Sequence, residues 1–276
     1  MAFPMTEPVR LAKRVAELIG CSRAEAEQYI EDGWVSVDGV VIEETQFQIH
    51  DQKVEIDAQA TLEASEPATI LLHKPAGVEF STSMGSGSST SMGGDSGISR
   101  RLDSRASMGV DPRTSKDSAI QLLTARNWSA DFQFGRRFLR RHLKHLSPLF
   151  PLDTAASGLV VFSQDPRLLR RLREDGDRIE EELIVEVSGE IAPYGLPRLC
   201  HGLSFNGRNL PPIKVSWQNE NRLRFALKSP QPGQIRHMCA EVGLEVMAIK
   251  RIRLGRVPLA KLPVGEWRYL PLHDKF

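Results

Sequence analysis

The sequence predicts an α+β protein, a small module of two helices and a hairpin followed by a longer region of short strands and turns. Two observations carry this. From Val9 to Ile30 apolar residues fall at helical spacing, with Leu11, Val15, Leu18 and Ile19 on one segment and Ala24, Ala26, Tyr29 and Ile30 on a second. Beyond residue 68 they come instead in short runs, Thr69–His73, Gly158–Ser163 and Leu183–Val187, bounded by Pro, Gly, Ser and Asp, as buried strands do. A chain of 276 residues has room for one large domain and one small one.

In the first module Ser22 is placed to cap the second helix, and Asp38-Gly39 between Val35, Val37, Val40 and Val41 is a two-residue hairpin signal. The predicted divisions are a module over 1–60, a polar linker over 61–68 and a large domain over 69–276. Lys74-Pro75-Ala76-Gly77 follows the first strand of that domain as a rigid turn that aims the lysine. Residues 81–110 are rich in Ser, Gly and Met, with no apolar period, and read as a flexible insertion. A short helix is expected over Ser118–Arg126 and a basic one over Pro166–Asp175. Residues 191–225 read as short strands between Pro- and Gly-rich loops. A glycine turn at Gly233 opens a last helix that stops at Gly243.

Charge excludes little. Lys plus Arg, 36, nearly cancels Asp plus Glu, 35, so any nucleic-acid surface must be local. Cys21, Cys200 and Cys239 are far apart and form no Cys-x-x-Cys pair, which argues against a disulfide framework or a zinc site and fits a reducing cytoplasm. No run approaches the ~20 apolar residues of a membrane span, so a cytoplasmic protein without membrane contact is expected.

The candidate for chemistry is Asp153, in Phe150-Pro151-Leu152-Asp153-Thr154-Ala155-Ala156-Ser157-Gly158, where an acid stands among apolar neighbours just before a strand. A carboxylate buried there would cost several kcal/mol unless paired. The same residue types also make an ordinary turn. Just upstream, Arg136, Arg137, Arg140, Arg141 and Lys144 alternate with Phe138, Leu139 and Leu143, a cationic face suited to phosphates. Arg10, Lys13, Arg14 and Arg23 form a second basic cluster on the helix pair. Against it, residues 1–57 hold 5 basic and 12 acidic side chains, a net charge of 5 − 12 = −7.

The first module, from Arg10-Leu11-Ala12-Lys13 through Cys21-Ser22-Arg23 to Gly33-Trp34-Val35-Ser36-Val37-Asp38-Gly39, resembles the S4 RNA-binding domain. The further order Lys74-Pro75-Ala76-Gly77, Leu152-Asp153 with Ser157-Gly158-Leu159, Gln234-Ile235-Arg236, and Leu262 with Gly265-Glu266-Trp267-Arg268 resembles the RsuA/RluB/RluE/RluF family of bacterial RNA pseudouridine synthases. The resemblance implies an S4 domain joined to a catalytic domain with a mainly antiparallel central sheet flanked by helices. It implies a monomer that isomerises a uridine of RNA without metal or cofactor, ribosomal RNA being the first candidate partner and transfer RNA the second. By their match to the family motifs, Asp153 is the catalytic group and Arg236 its charge partner, with Lys74, Leu183 and Ile235 as supporting residues.

Four residues depart from the family pattern. Pro151 stands where an arginine is usual before Leu-Asp, Ala155 and Ala156 replace polar residues, and Leu183 in Glu181-Glu182-Leu183-Ile184-Val185 takes the place of a pocket tyrosine. They leave open a second reading, a relative that binds RNA or assists ribosome assembly without modifying it.

Overall fold

The computed structural model describes residues 8–61, 67–80, 118–129, 131, 138–271 and 274–276. The expected insertion at 81–110, with Arg136 and Arg137, lies outside them.

Two nine-residue helices, Leu11–Ile19 and Arg23–Glu31, pack through Leu11, Ala12, Val15, Ala26 and Ile30. Ser22 caps the second as expected: its hydroxyl accepts the Glu25 N–H while the Glu25 carboxylate accepts the Ser22 N–H. Strands Val35–Val37 and Val40–Val41 form the hairpin, with Asp38 at φ 50° and Gly39 at φ 80°, both in the left-handed region that a tight hairpin turn demands. Val54–Ile56 completes a three-stranded sheet on the other side of Val35–Val37.

The larger part of the chain is built on one sheet of nine strands. Its main path runs Lys214–Asn219, Arg222–Lys228, Glu180–Ser188, Glu245–Leu254, Ser157–Ser163, Thr69–Lys74 and Trp267–Tyr269. Every pairing is antiparallel except that between Glu245–Leu254 and Ser157–Ser163. That parallel seam, with Arg251 beside Gly158, lies at the centre of the sheet and receives the segment carrying Asp153.

Alternation along the strands sends side chains to two cores. Leu183, Val185, Val187, Leu223 and Phe225 pack under helices Gly195–Cys200 and Gln234–Ala240 through Leu199, Ile235 and Met238. At the other half of the sheet, Leu71, Leu159 and Val161 meet helix Pro166–Glu174 on one face. Ile70, Leu72, Val160, Phe162, Trp267 and Tyr269 meet Ala119, Leu123, Trp128, Phe138 and Leu146 on the other.

Three expectations need correcting. The helix expected over Ser118–Arg126 is two 3₁₀ turns, Ala119–Leu122 and Ala125–Asn127, too short to form a full helical ladder. The region 191–225 contains the helix Gly195–Cys200, hidden because Pro197 and Gly195 mask its period. The last helix ends at Ala240, three residues before Gly243, since Glu241–Gly243 turn the chain into the next strand. No helix among the described residues is long and apolar enough to cross a membrane.

Candidate active site

A pocket of about 170 Å³ opens where the Asp153 turn, the start of helix Gln234–Ala240 and the central strands converge. Its walls include Leu152, Ala156, Leu183, Ile235 and Ile249, an apolar lining that suits the face of a flat ring. Asp153, Arg236, Glu181 and Arg251 supply its polar groups. Few convergent polar groups in an apolar cleft are the usual make-up of a ligand site.

Asp153 is exposed, and its carboxylate has no hydrogen bond or ion pair among the described residues. What is fixed is its backbone. Its carbonyl accepts the Ala156 N–H at 3.0 Å, closing a turn, and the next carbonyl, Thr154, accepts from Gly77 N–H at 2.7 Å and from Lys74 Nζ at 3.2 Å. The Lys-Pro-Ala-Gly turn therefore staples the Asp153 turn from beneath. Lys74 is fully buried and does not line the pocket; Nζ also donates to the carbonyls of Pro75 and Val78 at 2.9 and 2.8 Å. Burial pushes its ammonium down to about 8; nearby Arg251 acts in the same direction and the charge of Asp153 opposes both.

Gly158 explains why Ser-Gly follows the acid. At φ 119° it sits so close to the neighbouring strand that a Cβ would lie 2.3 Å from the Arg251 carbonyl oxygen. Only glycine lets the strand after Asp153 enter the parallel seam at that point.

Arg236 shares the pocket with Asp153, but the two form no ion pair; Arg236 Nη1 donates instead to the Val246 carbonyl at 2.9 Å. Leu183 and Ile235, 3% and 5% exposed, are on the wall as apolar surface. Of the departing residues, Pro151 and Ala156 line the pocket, and Ala156 is buried against Leu183 and its neighbours, a place where a polar side chain would need a new partner.

Sequence reasoning passed over Arg251 and Glu181. Arg251 is 1% exposed, and its guanidinium donates to the carbonyls of Leu159, Phe150 and Pro151 and to Glu181 Oε2, at 2.8, 2.6, 3.3 and 3.0 Å. Glu181, 6% exposed, stands two residues before Leu183 on the buried face of its strand. The strand carrying Arg251 has register shifts at Val246/Ala248 and Arg251/Arg253, so simple alternation does not reveal which of its arginines points inward.

The basic residues divide. Arg10, Lys13 and Arg23 surround a surface depression with Pro8, Val9 and Ala16, and all are exposed. Arg14 pairs with Glu17 and Arg23 with Glu27, both across exposed helix turns. Lys144 is exposed, whereas Arg140 and Arg141 turn toward the N-terminal module. The Arg140 N–H donates to Glu43 at 2.6 Å, its guanidinium lies 3.8 Å from Glu44, and Arg141 pairs with buried Asp32. Arg141 is thus taken up by a joint between the two parts of the chain and is not free for phosphate.

Comparison with known proteins agrees with this architecture. Residues 9–54 match the family model of the S4 domain. A solved structure described as a pseudouridylate synthase superposes with a TM-score of 0.53 over 95% of this chain and 96% of its own, at 18% identity. The chain has the pseudouridine synthase fold, headed by an S4 domain. Its relatives include the dual-specificity RNA pseudouridine synthase RluF of Escherichia coli K12, 30% identical over 129 residues, or 47% of this chain and 44% of that one. Ribosomal large subunit pseudouridine synthase B of Yersinia pestis is 29% identical over 126 residues, 44% of this chain and 40% of the relative. The chain thus matches less than half the length of these curated relatives.

Proposed function

We propose that this protein is an RNA pseudouridine synthase that isomerises a specific uridine, with ribosomal RNA as the substrate class. The observation that carries the reading is a carboxylate, Asp153, without a partner among the described residues, held by a fixed backbone turn on the wall of a largely apolar, ring-sized pocket that also contains Arg236. Isomerisation breaks the glycosidic bond at nitrogen and remakes it at a ring carbon. It needs a group that attacks the nucleoside or accepts a proton from it, and an ionised carboxylate does either. The target base must leave its stack to enter so narrow a site. Arg236, which now spends one N–H on the Val246 carbonyl, is the cation that keeps Asp153 charged once RNA excludes water from the pocket. Arg10, Lys13, Arg23 and Lys144 contact phosphates and hold the strand.

A second reading, an RNA-binding relative without activity, draws on Leu183, Pro151, Ala155 and Ala156 and on the unformed Arg236–Asp153 pair. Mapping pseudouridines in cellular RNA after deleting the gene, and after restoring the wild-type or the Asp153→Asn copy, separates the two. One site lost on deletion and regained only with the wild-type copy is the expected result. No changed site at all favours the binding protein. Arg236→Ala should abolish turnover with RNA affinity within a few-fold of wild type; equal loss of both would make it a binding residue only.

A further inference from the structure

Glu181 is an odd residue for its place. It stands on the core-facing side of a central strand, followed at every second position by Leu183, Val185 and Val187. Its neighbours Glu180 and Glu182 face outward and pair with Arg253, Glu182 also with Arg224. As a strand clamp a buried Glu–Arg pair is a poor choice, because two apolar residues of similar volume hold strands together as well or better.

Its geometry suggests another use. Glu181 lines the pocket together with Asp153, and only Oε2 is engaged, by Arg251 at 3.0 Å. Oε1 has no hydrogen bond among the described residues, yet it is not among the sealed polar atoms that lack a partner. Four of the five N–H groups of Arg251 are already given to Leu159, Phe150, Pro151 and Glu181. The guanidinium is immobile, and so is the carboxylate oxygen it holds. The result is an oriented acceptor on the wall of a largely apolar, ring-sized pocket, beside Asp153 and Arg236.

We propose that Glu181 is a specificity-determining residue, its Oε1 accepting the ring N–H of a uracil imide, with Arg251 setting the direction in which the carboxylate points. The inference rests on the proposed synthase reading and names how its pocket tells uridine from cytidine. Uracil presents a donor at that ring nitrogen and cytosine an acceptor, so a carboxylate oxygen facing it attracts the first and repels the second. Arg251 also dictates what an amide would do. In Glu181→Gln the carbonyl oxygen stays with the guanidinium, leaving the NH₂ to face the ring, where it opposes uracil and suits cytosine.

The test uses the full chain and a fragment of the RNA identified by the mapping experiment, with the target position synthesised as uridine, cytidine or 3-methyluridine. Binding is measured in the Asp153→Asn background so that no turnover intervenes. With Glu181 intact, uridine RNA should bind about 10–100-fold more tightly than 3-methyluridine RNA, the worth of a hydrogen bond to a charged group. Glu181→Gln should reverse the uridine-to-cytidine preference by a similar factor, an effect that mere loosening of the fold does not produce. An unchanged preference in a folded Glu181→Gln variant overturns the inference, and so does equal binding of uridine and 3-methyluridine RNA when Glu181 is present, a measurement that needs no variant at this position. If mapping finds a site made by the wild-type protein, either failure leaves the synthase reading intact; if it finds none, both fall.

Discussion

Two buried ion pairs sit about a hundred residues apart in sequence and are built to different standards. Arg251 gives its guanidinium to Leu159 and Glu181 in the sheet and to the carbonyls of Phe150 and Pro151 in the Asp153 segment, and is 1% exposed. Arg141 reaches across to Asp32 at the end of an S4 helix, keeps 20% of its side chain exposed and leaves Nε without a partner. The first is a lattice that fixes atoms around a pocket. The second is a joint between one module and the other, helped by Arg140 with Glu43 and Glu44. The contrast teaches that precision is concentrated around the pocket, while the pairs that join the N-terminal module to the rest keep more of their side chains exposed.

The largest effect should come from breaking the lattice. Arg251→Met leaves Glu181 buried and unpaired, and three carbonyls lose a donor, which should cost about 3–5 kcal/mol of stability in urea unfolding. Arg251→Lys keeps the charge without the fork and should fall between. A loss below about 1 kcal/mol, the worth of one ordinary hydrogen bond, would show that the sheet does not depend on the pair.

Next is the seam that the arginine backbone shares. Gly158→Ala forces a Cβ to within 2.3 Å of the Arg251 carbonyl oxygen at a φ of 119°, and the atom it meets is backbone and cannot swing aside. Overpacking and the unfavourable φ together predict about 2–3 kcal/mol, with lost turnover because the strand entered from Asp153 must shift. A variant as stable and active as wild type would mean that the seam yields easily.

The joint should break more gently. Asp32→Ala strands a partly exposed guanidinium at a cost of about 1–3 kcal/mol. The readout that separates it from the sheet is protease cutting between the strands Val54–Ile56 and Thr69–Lys74, expected to speed up while the large sheet stays folded. Unchanged cutting would place the docking energy elsewhere.

The same contrast explains what could be read from the sequence. The Ser22 cap, the Asp38-Gly39 hairpin, the strands at 69–73 and 158–163 and the Asp153 turn were legible because each is local: its residues dictate its geometry. Asp153, Arg236, Leu183 and Ile235 line one pocket. Arg251 and Glu181 were not legible, because what makes them special is register. A bulge decides which of Arg251 and Arg253 points inward, and a bulge leaves no mark in composition. Arg141 was misjudged for a related reason: a basic run looks alike whether its partner is a phosphate or the carboxylate of a distant module.

The smallest effect concerns Lys74, a third buried cation, which feels both Arg251 and Asp153. Its ordinary value is 10.5, and in the fold burial lowers it to about 8. Below pH 8 the folded state carries the whole cost of a buried charge. Between about 8 and 10.5 the folded protein releases a proton that the unfolded chain retains, so the unfolded state binds more protons and this group's contribution to stability rises with pH. The urea-unfolding difference between wild type and Lys74→Met should therefore move in favour of wild type over that window; a flat difference would mean that the three carbonyls offset burial completely. Turnover should move the other way. A neutral amine has two N–H groups for three carbonyls, and the longest bond, to Thr154 at 3.2 Å, is the one to go. The staple under Asp153 then rests on the Gly77 N–H alone, and kcat should fall above pH 8 while the fold grows more stable.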